Sequence, residues 1–159
     1  MSLVYLILGG NRGNTKEIFS QAIDLVTSNI GPITVRSSLY KSDPWGFDSD
    51  VFMNQVITVR TDLSPQDLLA QIQHIENQLG RVRISQDYEA RTIDIDLLYF
   101  DNLVFSSSDL TIPHPRIADR KFVLIPLAEV APDLTDPDTG MTVQEMLLKC
   151  KDTSGVWLI

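Results

Sequence analysis

The sequence predicts an α+β domain with a largely antiparallel sheet. Apolar runs of strand length are mixed with segments of helical spacing along the chain. The second and third predicted strands, 33–40 and 51–60, are joined by a loop too short for a helical crossover, so they pair antiparallel. With 159 residues, 43% of them hydrophobic, the chain can bury one core, and we expect a single domain over 1–159.

Local signals place the first elements. Residues 3–8 form an almost continuous apolar run that ends at a glycine pair, which indicates a buried strand. Asn14 and the glutamate three residues later have capping-box spacing, so a first helix begins there. A second helix begins at Ser64, which a proline follows, and it ends at Gly80.

The C-terminal half contains a further strand and two more helices. The run 91–100 is a strand, and a hairpin is expected around Asp101 and Asn102. A helix is expected over 122–130, and Thr142, with a glutamate three residues later, begins the last one.

Charge and cysteine content exclude several classes of protein. A formal net charge of −8 argues against a broad nucleic-acid-binding face, so we expect no nucleic-acid partner and interpret any local basic cluster as a site. The lone Cys150 cannot form an internal disulfide, and no stretch resembles a signal peptide or a membrane span. We therefore expect a cytoplasmic protein without membrane contact, and a monomer by default.

Two aspartates form the most informative pattern in the chain. Asp94 and Asp96 lie one residue apart in the strand 91–100, so both carboxylates share one face while the aliphatic residues around them face a core. Close like charges favour a bound cation, and carboxylate oxygens suit magnesium. A solvated face of an edge strand is the alternative.

Three arginines lie just upstream of this pair, at Arg81, Arg83 and Arg91. Guanidinium groups bind phosphate oxygens in a fork, and magnesium held by carboxylates bridges other oxygens of the same polyphosphate. The combination indicates a nucleoside triphosphate. Mutual neutralisation of arginines and aspartates is the alternative.

Aromatic residues suggest a second ligand. Phe52 and Asn54 share one strand face, and a ring beside an amide suits a flat heteroaromatic molecule, although Phe52 could equally belong to the core. Trp45 lies in a polar loop that could fold over a ligand or be anchored on the core. Near the C-terminal half, Arg120 and Phe122 could supply a phosphate contact and a second ring.

His114 stands between two prolines and is therefore rigidly presented. It could bind a phosphate, act as an acid or cap the neighbouring turn. The chain has no Ser-His-Asp or Cys-His set and no zinc-ligand spacing. The residue types favour metal-assisted transfer over covalent catalysis.

Short motifs are spread along nearly the whole chain. They are Leu8-Gly-Gly-Asn11, Tyr40-Lys-Ser-Asp-Pro44, Phe52-Met-Asn54, Glu76, Gly80-Arg-Val-Arg83, Arg91-Thr-Ile-Asp-Ile-Asp96, Pro113-His-Pro115, Arg120-Lys-Phe122 and Pro126-Leu127. This set resembles the 6-hydroxymethyl-7,8-dihydropterin pyrophosphokinase family of folate biosynthesis. Sugar transferases that use nucleotide sugars share the Asp-x-Asp pattern but none of the other motifs.

The resemblance implies a ferredoxin-like α/β/α sandwich with a mainly antiparallel central sheet. It also implies transfer of pyrophosphate from ATP to the hydroxymethyl group of 6-hydroxymethyl-7,8-dihydropterin, with release of AMP. Two Mg²⁺ ions would lie between the aspartate pair and the triphosphate. A non-catalytic nucleotide- or pterin-binding module with the same fold is the alternative.

The resemblance further implies the residues of the site. Those for catalysis are Arg81, Arg91 and Asp96. Those for magnesium are Asp94 and Asp96. Those for ATP are Gln73, Glu76, Arg81, Arg83, Tyr88, Arg91, Thr111, His114 and Arg120. Those for the pterin are Ser42, Asp43, Trp45, Phe52, Asn54, Asp94 and Phe122.

One loop departs from the pattern that the family often shows. Asp87 and Glu89 lie where a basic residue and a tryptophan are common, and their charge would repel a triphosphate unless the loop directs them to solvent. Tyr88 between them can still stack on a ligand.

Overall fold

A mainly antiparallel sheet forms the centre of the fold. The computed structural model describes residues 1–44, 51–85 and 88–159, with the backbone alone between 81 and 91. The strands are β1 (Ser2–Gly10), β2 (Ile33–Arg36), β3 (Tyr40–Ser42), β4 (Phe52–Thr61), β5 (Arg81–Ser85), β6 (Tyr88–Arg91), β7 (Asp94–Phe100), β8 (Phe105–Ser106), β9 (Thr111–Ile112) and β10 (Val156–Leu158). The helices are α1 (Thr15–Asn29), α2 (Pro65–Gly80), a 3₁₀ helix (Ile117–Asp119), α3 (Lys121–Val130) and α4 (Val143–Lys149).

The order of the strands places β1 in the interior of the sheet. In the described part of the chain, strands pair in the order β10-β3-β4-β1-β7, β2 also pairs with β4, and these pairings are antiparallel. Helix α1 follows β1 and helix α2 follows β4, so β7, β1, β4 and β3 with these helices have the ferredoxin-like arrangement. The predicted α+β class is confirmed, as is the fold that the resemblance implied.

Helices cover both faces of the sheet. On one face, Val4, Leu6 and Leu8 of β1 pack against α1 and α2. On the other face, Tyr5 and Ile7 pack against α3 and α4. Side chains alternate along a strand, and β1 is apolar on both faces, with each of these five residues at most 8% exposed. The two cores give an α/β/α sandwich.

The predicted helix starts are confirmed by their caps. The side chains of Asn14, Ser64 and Thr142 each accept a hydrogen bond from the backbone N–H three residues later, at 3.3, 3.1 and 3.1 Å. Each bond satisfies an N–H group that has no partner within the helix. Among the described residues, no helix combines the length and the apolar character needed to cross a membrane.

The predicted strand 33–40 is divided into β2 and β3. Between them, Ser37 donates its backbone N–H to the Val56 carbonyl at 2.8 Å, and its hydroxyl accepts the Val56 N–H at 3.0 Å. The serine side chain thus replaces a backbone acceptor, which interrupts the ladder in the manner of a β-bulge. Both strands still pair with β4.

Three other segments differ from the sequence prediction. The chain turns at Asp101 and Asn102, but the following strand β8 pairs with β9 and not with β7. Residues 84–85 and 88–90, which we expected in a loop between Arg83 and Arg91, lie instead in β5 and β6, and these two strands pair with each other. Strand β10 was not predicted, because its three residues follow a polar segment and have no clear strand pattern.

Glu129 near the end of α3 fastens this helix to β3. Its carboxylate accepts hydrogen bonds from the Ser38 N–H at 2.7 Å, from the Ser38 hydroxyl at 3.1 Å and from the Tyr40 hydroxyl. Burial raises the pKa of Glu129, but these hydrogen bonds outweigh it and hold the pKa below its ordinary value. Burial and the bond to Glu129 raise the pKa of Tyr40 to about 12.

The substitution Glu129→Gln should therefore destabilise the fold in a pH-dependent way. A carboxyl with a depressed pKa adds stability above its unfolded pKa and loses it as pH falls through the folded pKa. We expect the variant to lose about 1 kcal/mol of unfolding free energy near neutral pH, a modest value because the group is exposed, and this loss should shrink below about pH 4. Denaturant titrations over this range, with Asp24→Asn on α1 as control, measure the difference. A loss independent of pH would contradict the interpretation.

Candidate active site

The register of three strands builds the floor of the site. Gly9 of β1 pairs with Asn54 of β4 on one side and with Asp94 of β7 on the other, and Ile7 pairs with Asp96. Residues directly opposite each other in a sheet face the same side, so an amide and two carboxylates share one surface. A Cβ added to Gly9 would lie at an ordinary 3.6 Å from the Asn54 Oδ1 atom. A Cβ is therefore tolerated at Gly9, but because this residue lines the cleft, any larger side chain would occupy space above the floor.

The acidic strand was predicted over 91–100, but β7 begins only at Asp94 and Arg91 belongs to β6. Within β7 the predicted alternation is present. Asp94 and Asp96 are exposed, whereas Ile93, Ile95 and Leu97 are buried in the core beneath α1 and α2. The carboxylates are thus on the opposite face of the strand from that core. They lie side by side on the surface that Gly9 leaves open.

Glu76 of α2 supports this strand from behind. It is 7% exposed, and its Oε2 atom accepts the backbone N–H of Ile95, the residue between the two aspartates, at 2.9 Å. Strand β7 is at the edge of the described sheet, where backbone N–H groups need partners from outside the ladder. The bond fixes the backbone that carries the aspartates. Contact between Glu76 and a nucleotide stays a prediction.

A cleft of about 300 Å³ opens above this floor. Several predicted residues line it, and these are Ser42, Phe52, Asn54, Asp94, Asp96, Arg120 and Phe122. The lining also includes Arg116, which the sequence analysis did not single out. The signal was present in the sequence, since Arg116 directly follows the Pro113-His-Pro115 motif and lies close to Arg120 in an otherwise acidic chain.

A buried polar pair forms one wall of the cleft. Asn54 is 3% exposed, and its Nδ2 atom donates to the Ser42 hydroxyl at 2.7 Å. This bond fixes the plane of the amide, and the Oδ1 atom lies beside Gly9 on the floor. A flat ligand with donors on its edge could bind there, and Phe52, half-buried on the same strand face, adds a ring.

The start of α3 forms the opposite wall. The Arg120 guanidinium carbon lies 5.6 Å from the centre of the Phe122 ring, within range of a cation–π contact. Burial and Arg116 lower the pKa of Arg120, and Asp96 and Asp119 oppose this effect, yet arginine stays charged at neutral pH. A cation and a stacking ring therefore face the carboxylates across the cleft.

His114 has a defined tautomer. Its backbone N–H donates to the Leu98 carbonyl at 3.0 Å, and its Nδ1 atom accepts the Arg116 N–H at 3.1 Å. Burial lowers the pKa of His114; Asp96 raises it, and Arg120 and Arg116 lower it further. The neutral ring thus carries its proton on Nε2. The predicted turn cap is present, and Nε2–H is the donor of the ring.

A second cleft, also about 300 Å³, meets the first at Asp96. Thr111 and His114 line it together with the loop 107–110. A long ligand could therefore extend from one cleft into the other past the Asp96 carboxylate. Both residues were expected on the nucleotide side, and the structure places them together.

The other predicted residues lie elsewhere or outside the described residues. Gln73 is exposed on α2, and Asp43 binds Gly155 through both its N–H and its carboxylate, at 3.1 and 2.8 Å. Trp45 lies outside the described residues, as do the side chains of Arg81, Arg83, Tyr88 and Arg91. The backbone of the hairpin pairs Arg81 with Arg91.

The hairpin is attached to the acidic strand by Thr92. Its hydroxyl donates to the Leu79 carbonyl at 2.8 Å at the end of α2. Gly80 adopts φ +129°, and a Cβ there would lie 2.7 Å from the Thr92 hydroxyl, so the position favours glycine on both counts. This junction holds the arginine-bearing hairpin directly beside the start of β7.

The aspartate pair fits a magnesium ion. Within the described residues there is no group of three or more His, Cys, Asp or Glu side chains that could hold a metal by themselves. Magnesium is commonly bound by one or two carboxylates together with waters and substrate phosphates. Two exposed carboxylates that line the first cleft, one of which, Asp96, also lines the second, meet that requirement.

Comparison with known proteins identifies the family. Residues 5–132 match the family described as 7,8-dihydro-6-hydroxymethylpterin-pyrophosphokinase (HPPK). A 2-amino-4-hydroxy-6-hydroxymethyldihydropteridine pyrophosphokinase of Porphyromonas gingivalis is 40% identical over 136 residues, 83% of this chain and 92% of that protein. The protein of the same name from Bacillus subtilis is 36% identical over 158 residues, 98% of this chain and 94% of that protein.

Longer proteins match over part of their length. The folic acid synthesis protein fol1 of Pneumocystis carinii is 38% identical over 94% of this chain, which spans only 20% of that protein. A crystal structure of Plasmodium falciparum HPPK-DHPS has a TM-score of 0.78 at 17% identity, covering 93% of this chain and 45% of that one; this likeness concerns the fold. From the family model and the relatives matched over most of their length, the chain belongs to the 7,8-dihydro-6-hydroxymethylpterin-pyrophosphokinase family.

Proposed function

We propose that this chain transfers pyrophosphate from ATP to the hydroxymethyl oxygen of 6-hydroxymethyl-7,8-dihydropterin in folate biosynthesis, with release of AMP. One observation carries the proposal beyond family membership. The register in which β1 pairs with both β4 and β7 places the Asn54 amide and the two carboxylates of β7 on one open floor. The pterin would lie on the amide side and the triphosphate on the far side of Asp96.

The pterin ring would stack between Phe52 and Phe122, which both line the cleft. The Asn54 amide, held by Ser42, would bind the edge of the ring. This placement directs the hydroxymethyl group of the pterin toward the aspartate pair. Asp43 and Trp45 are further proposed pterin contacts, through their backbone.

Asp94 and Asp96 would hold two Mg²⁺ ions, which offset charge on the transferred group and lower the barrier to its displacement. The pterin hydroxyl oxygen forms the new bond to the β-phosphorus, and the bond from that phosphorus to the bridging oxygen of AMP breaks. Asp96 would accept the hydroxyl proton. The cleft would hold the pterin, and the aspartates with their metal ions would hold the triphosphate, so that the hydroxyl oxygen is aligned with the β-phosphorus.

Hydrogen-bond donors beside Asp96 would bind the triphosphate. His114 would do so through Nε2–H, and Arg120 through its guanidinium group. Arg116 joins them at the cleft. The two guanidinium groups, which line the first cleft, would then offset phosphate charge next to Asp96, and the neutral Nε2–H group would add a hydrogen bond in the second cleft.

The hairpin and α2 would complete the nucleotide site. Arg81 and Arg91 would stabilise charge on the transferred group. The further proposed nucleotide contacts are Gln73, Glu76, Arg83, Tyr88 and Thr111. We also propose one domain, a monomer and a cytoplasmic location.

The first test is AMP release from magnesium-ATP in the presence and absence of the pterin. Wild-type chain should form AMP only with pterin, and Asp96→Ala should lower turnover about a hundredfold or more through lost metal binding and proton transfer. Because Asp96 is exposed, the free energy of unfolding should change by no more than about 0.5 kcal/mol. Asp24→Ala, exposed on α1, is the matched control.

Two outcomes would oppose this proposal. Magnesium-dependent ATP binding without AMP formation by the wild type would favour a non-catalytic binding module. Unfolding of Asp96→Ala, with full activity in whatever remains folded, would assign the aspartate a structural role.

A second test concerns the stacking ring. Phe122→Ala should weaken pterin binding by about 1–3 kcal/mol, because it removes the ring and its buried area. Phe122→Leu keeps apolar bulk without the aromatic face and should recover only part of this loss. Fluorescence titration of the pterin, with the ATP affinity measured in parallel, separates these effects. Equal pterin affinity in all three proteins would remove Phe122 from the site.

A further inference from the structure

The segment after α4 reaches back to the start of α3. The Asp152 Oδ2 atom accepts the backbone N–H of Lys121, the first residue of α3, at 3.0 Å. Its Oδ1 atom accepts the Ser154 N–H at 2.9 Å, which fixes the carboxylate in place. Arg120, the N-cap residue of α3, makes no side-chain capping bond and carries no acceptor in its side chain. Asp152 therefore performs from a distant position in the chain the task of a capping residue.

Ionisation strengthens this contact. Burial raises the pKa of Asp152, but hydrogen bonds from Ser154 and Lys121 outweigh it, so the pKa lies below its ordinary value. A negative charge at the N-terminus of a helix also interacts favourably with the helix dipole. Asp152 thus holds the backbone at Lys121, directly before Phe122.

The same segment also holds the opposite wall of the cleft. Asp43 donates its N–H to the Gly155 carbonyl at 3.1 Å, and the Gly155 N–H donates to the Asp43 carboxylate at 2.8 Å. Strand β10 then pairs with β3, with Val156 opposite Ser42. A Cβ on Gly155 would lie 2.8 Å from the Asp43 Oδ2 atom, so the Asp43 carboxylate would have to shift to accommodate a side chain at this position.

We propose that residues 152–156 form a C-terminal clamp that positions the two walls of the pterin site, with Asp152 as a positioning residue for Phe122 and Gly155 as one for Ser42. The clamp lies beyond residues 5–132, the part matched by the family model. The inference rests on the proposed function. The spacing between the Phe122 ring and the Asn54–Ser42 pair is then set from outside the cleft, by one short segment bonded to both walls.

The test compares four variants with the wild type. Steady-state kinetics give KM for the pterin, KM for ATP and kcat; fluorescence titration gives Kd for the pterin, and thermal unfolding gives Tm. Asp152→Ala removes the cap, and Asp152→Asn keeps an oxygen that can accept the Lys121 N–H. Gly155→Ala disturbs the other end of the clamp. Asp24→Ala on α1 is the matched control.

Asp152→Ala should raise KM and Kd for the pterin about fivefold, the size expected for a lost cap, and should raise KM for ATP by less. Asp152→Asn keeps one of the two accepting oxygens but loses the charge, so it should recover part of this loss, and Gly155→Ala should also raise KM for the pterin. A merely structural role would lower Tm and the active fraction, and therefore kcat, but would leave KM unchanged.

Two results would overturn the clamp. One is a pterin KM and Kd in Asp152→Ala equal to those of Asp24→Ala, whatever happens to Tm. The other is a pterin Kd in Asp152→Asn as high as in Asp152→Ala. A wild-type chain that binds the pterin but forms no product overturns the proposed function instead, and the comparison of Kd values still tests the clamp.

Discussion

The site depends on the register of β1 between its two neighbours. Gly9 lies between Asn54 and Asp94 only because each strand is paired at that position. A slip of β7 by one residue would turn both of its carboxylates toward the core that Ile95 now occupies. Burying unpaired carboxylates costs several kcal/mol each, and β1 is apolar on both faces, so the native register is strongly favoured.

The cleft is open because helix α3 covers only part of this face of the sheet. On the face that carries the site, α3 covers Tyr5 and Ile7, and it begins at Lys121 without extending over Gly9. The end of the sheet beyond the helix is left open, and the residues at the helix start line that opening. Arg120 and Phe122 are therefore at the site for the same reason that the cleft is there. Two contacts fix the position of α3: Asp152 binds its start, and Glu129 near its end binds Ser38. Both contacts therefore also help to position Arg120 and Phe122.

Local patterns predicted a large part of this arrangement. Strand alternation places Asp94 and Asp96 on one face, and the same rule brings Phe52 and Asn54 together. The contacts that could not be predicted join distant residues: Asp152 binds a backbone group 31 positions away, and Asp43 binds one 112 positions away. Neither contact leaves a pattern in its own neighbourhood, since an aspartate in a polar segment has many possible partners. The interruption of the strand at Ser37 was missed for a related reason, because a serine in a strand gives no sign of which backbone group it will bind.

The electrostatics of the cleft also differ from those of the whole chain. A net charge of −8 would repel a polyphosphate at long range, but charges more than about 8–10 Å apart are largely screened at physiological salt. Within that distance the potential at Asp96 is set by nearby groups, which are the cations Arg116 and Arg120 and the His114 ring. Cations bound by the aspartates would change the sign of that surface, so that carboxylates which oppose a triphosphate alone become part of its binding site. Metal binding and nucleotide binding at Asp94 and Asp96, as proposed, would in this way be thermodynamically linked, each raising the affinity for the other.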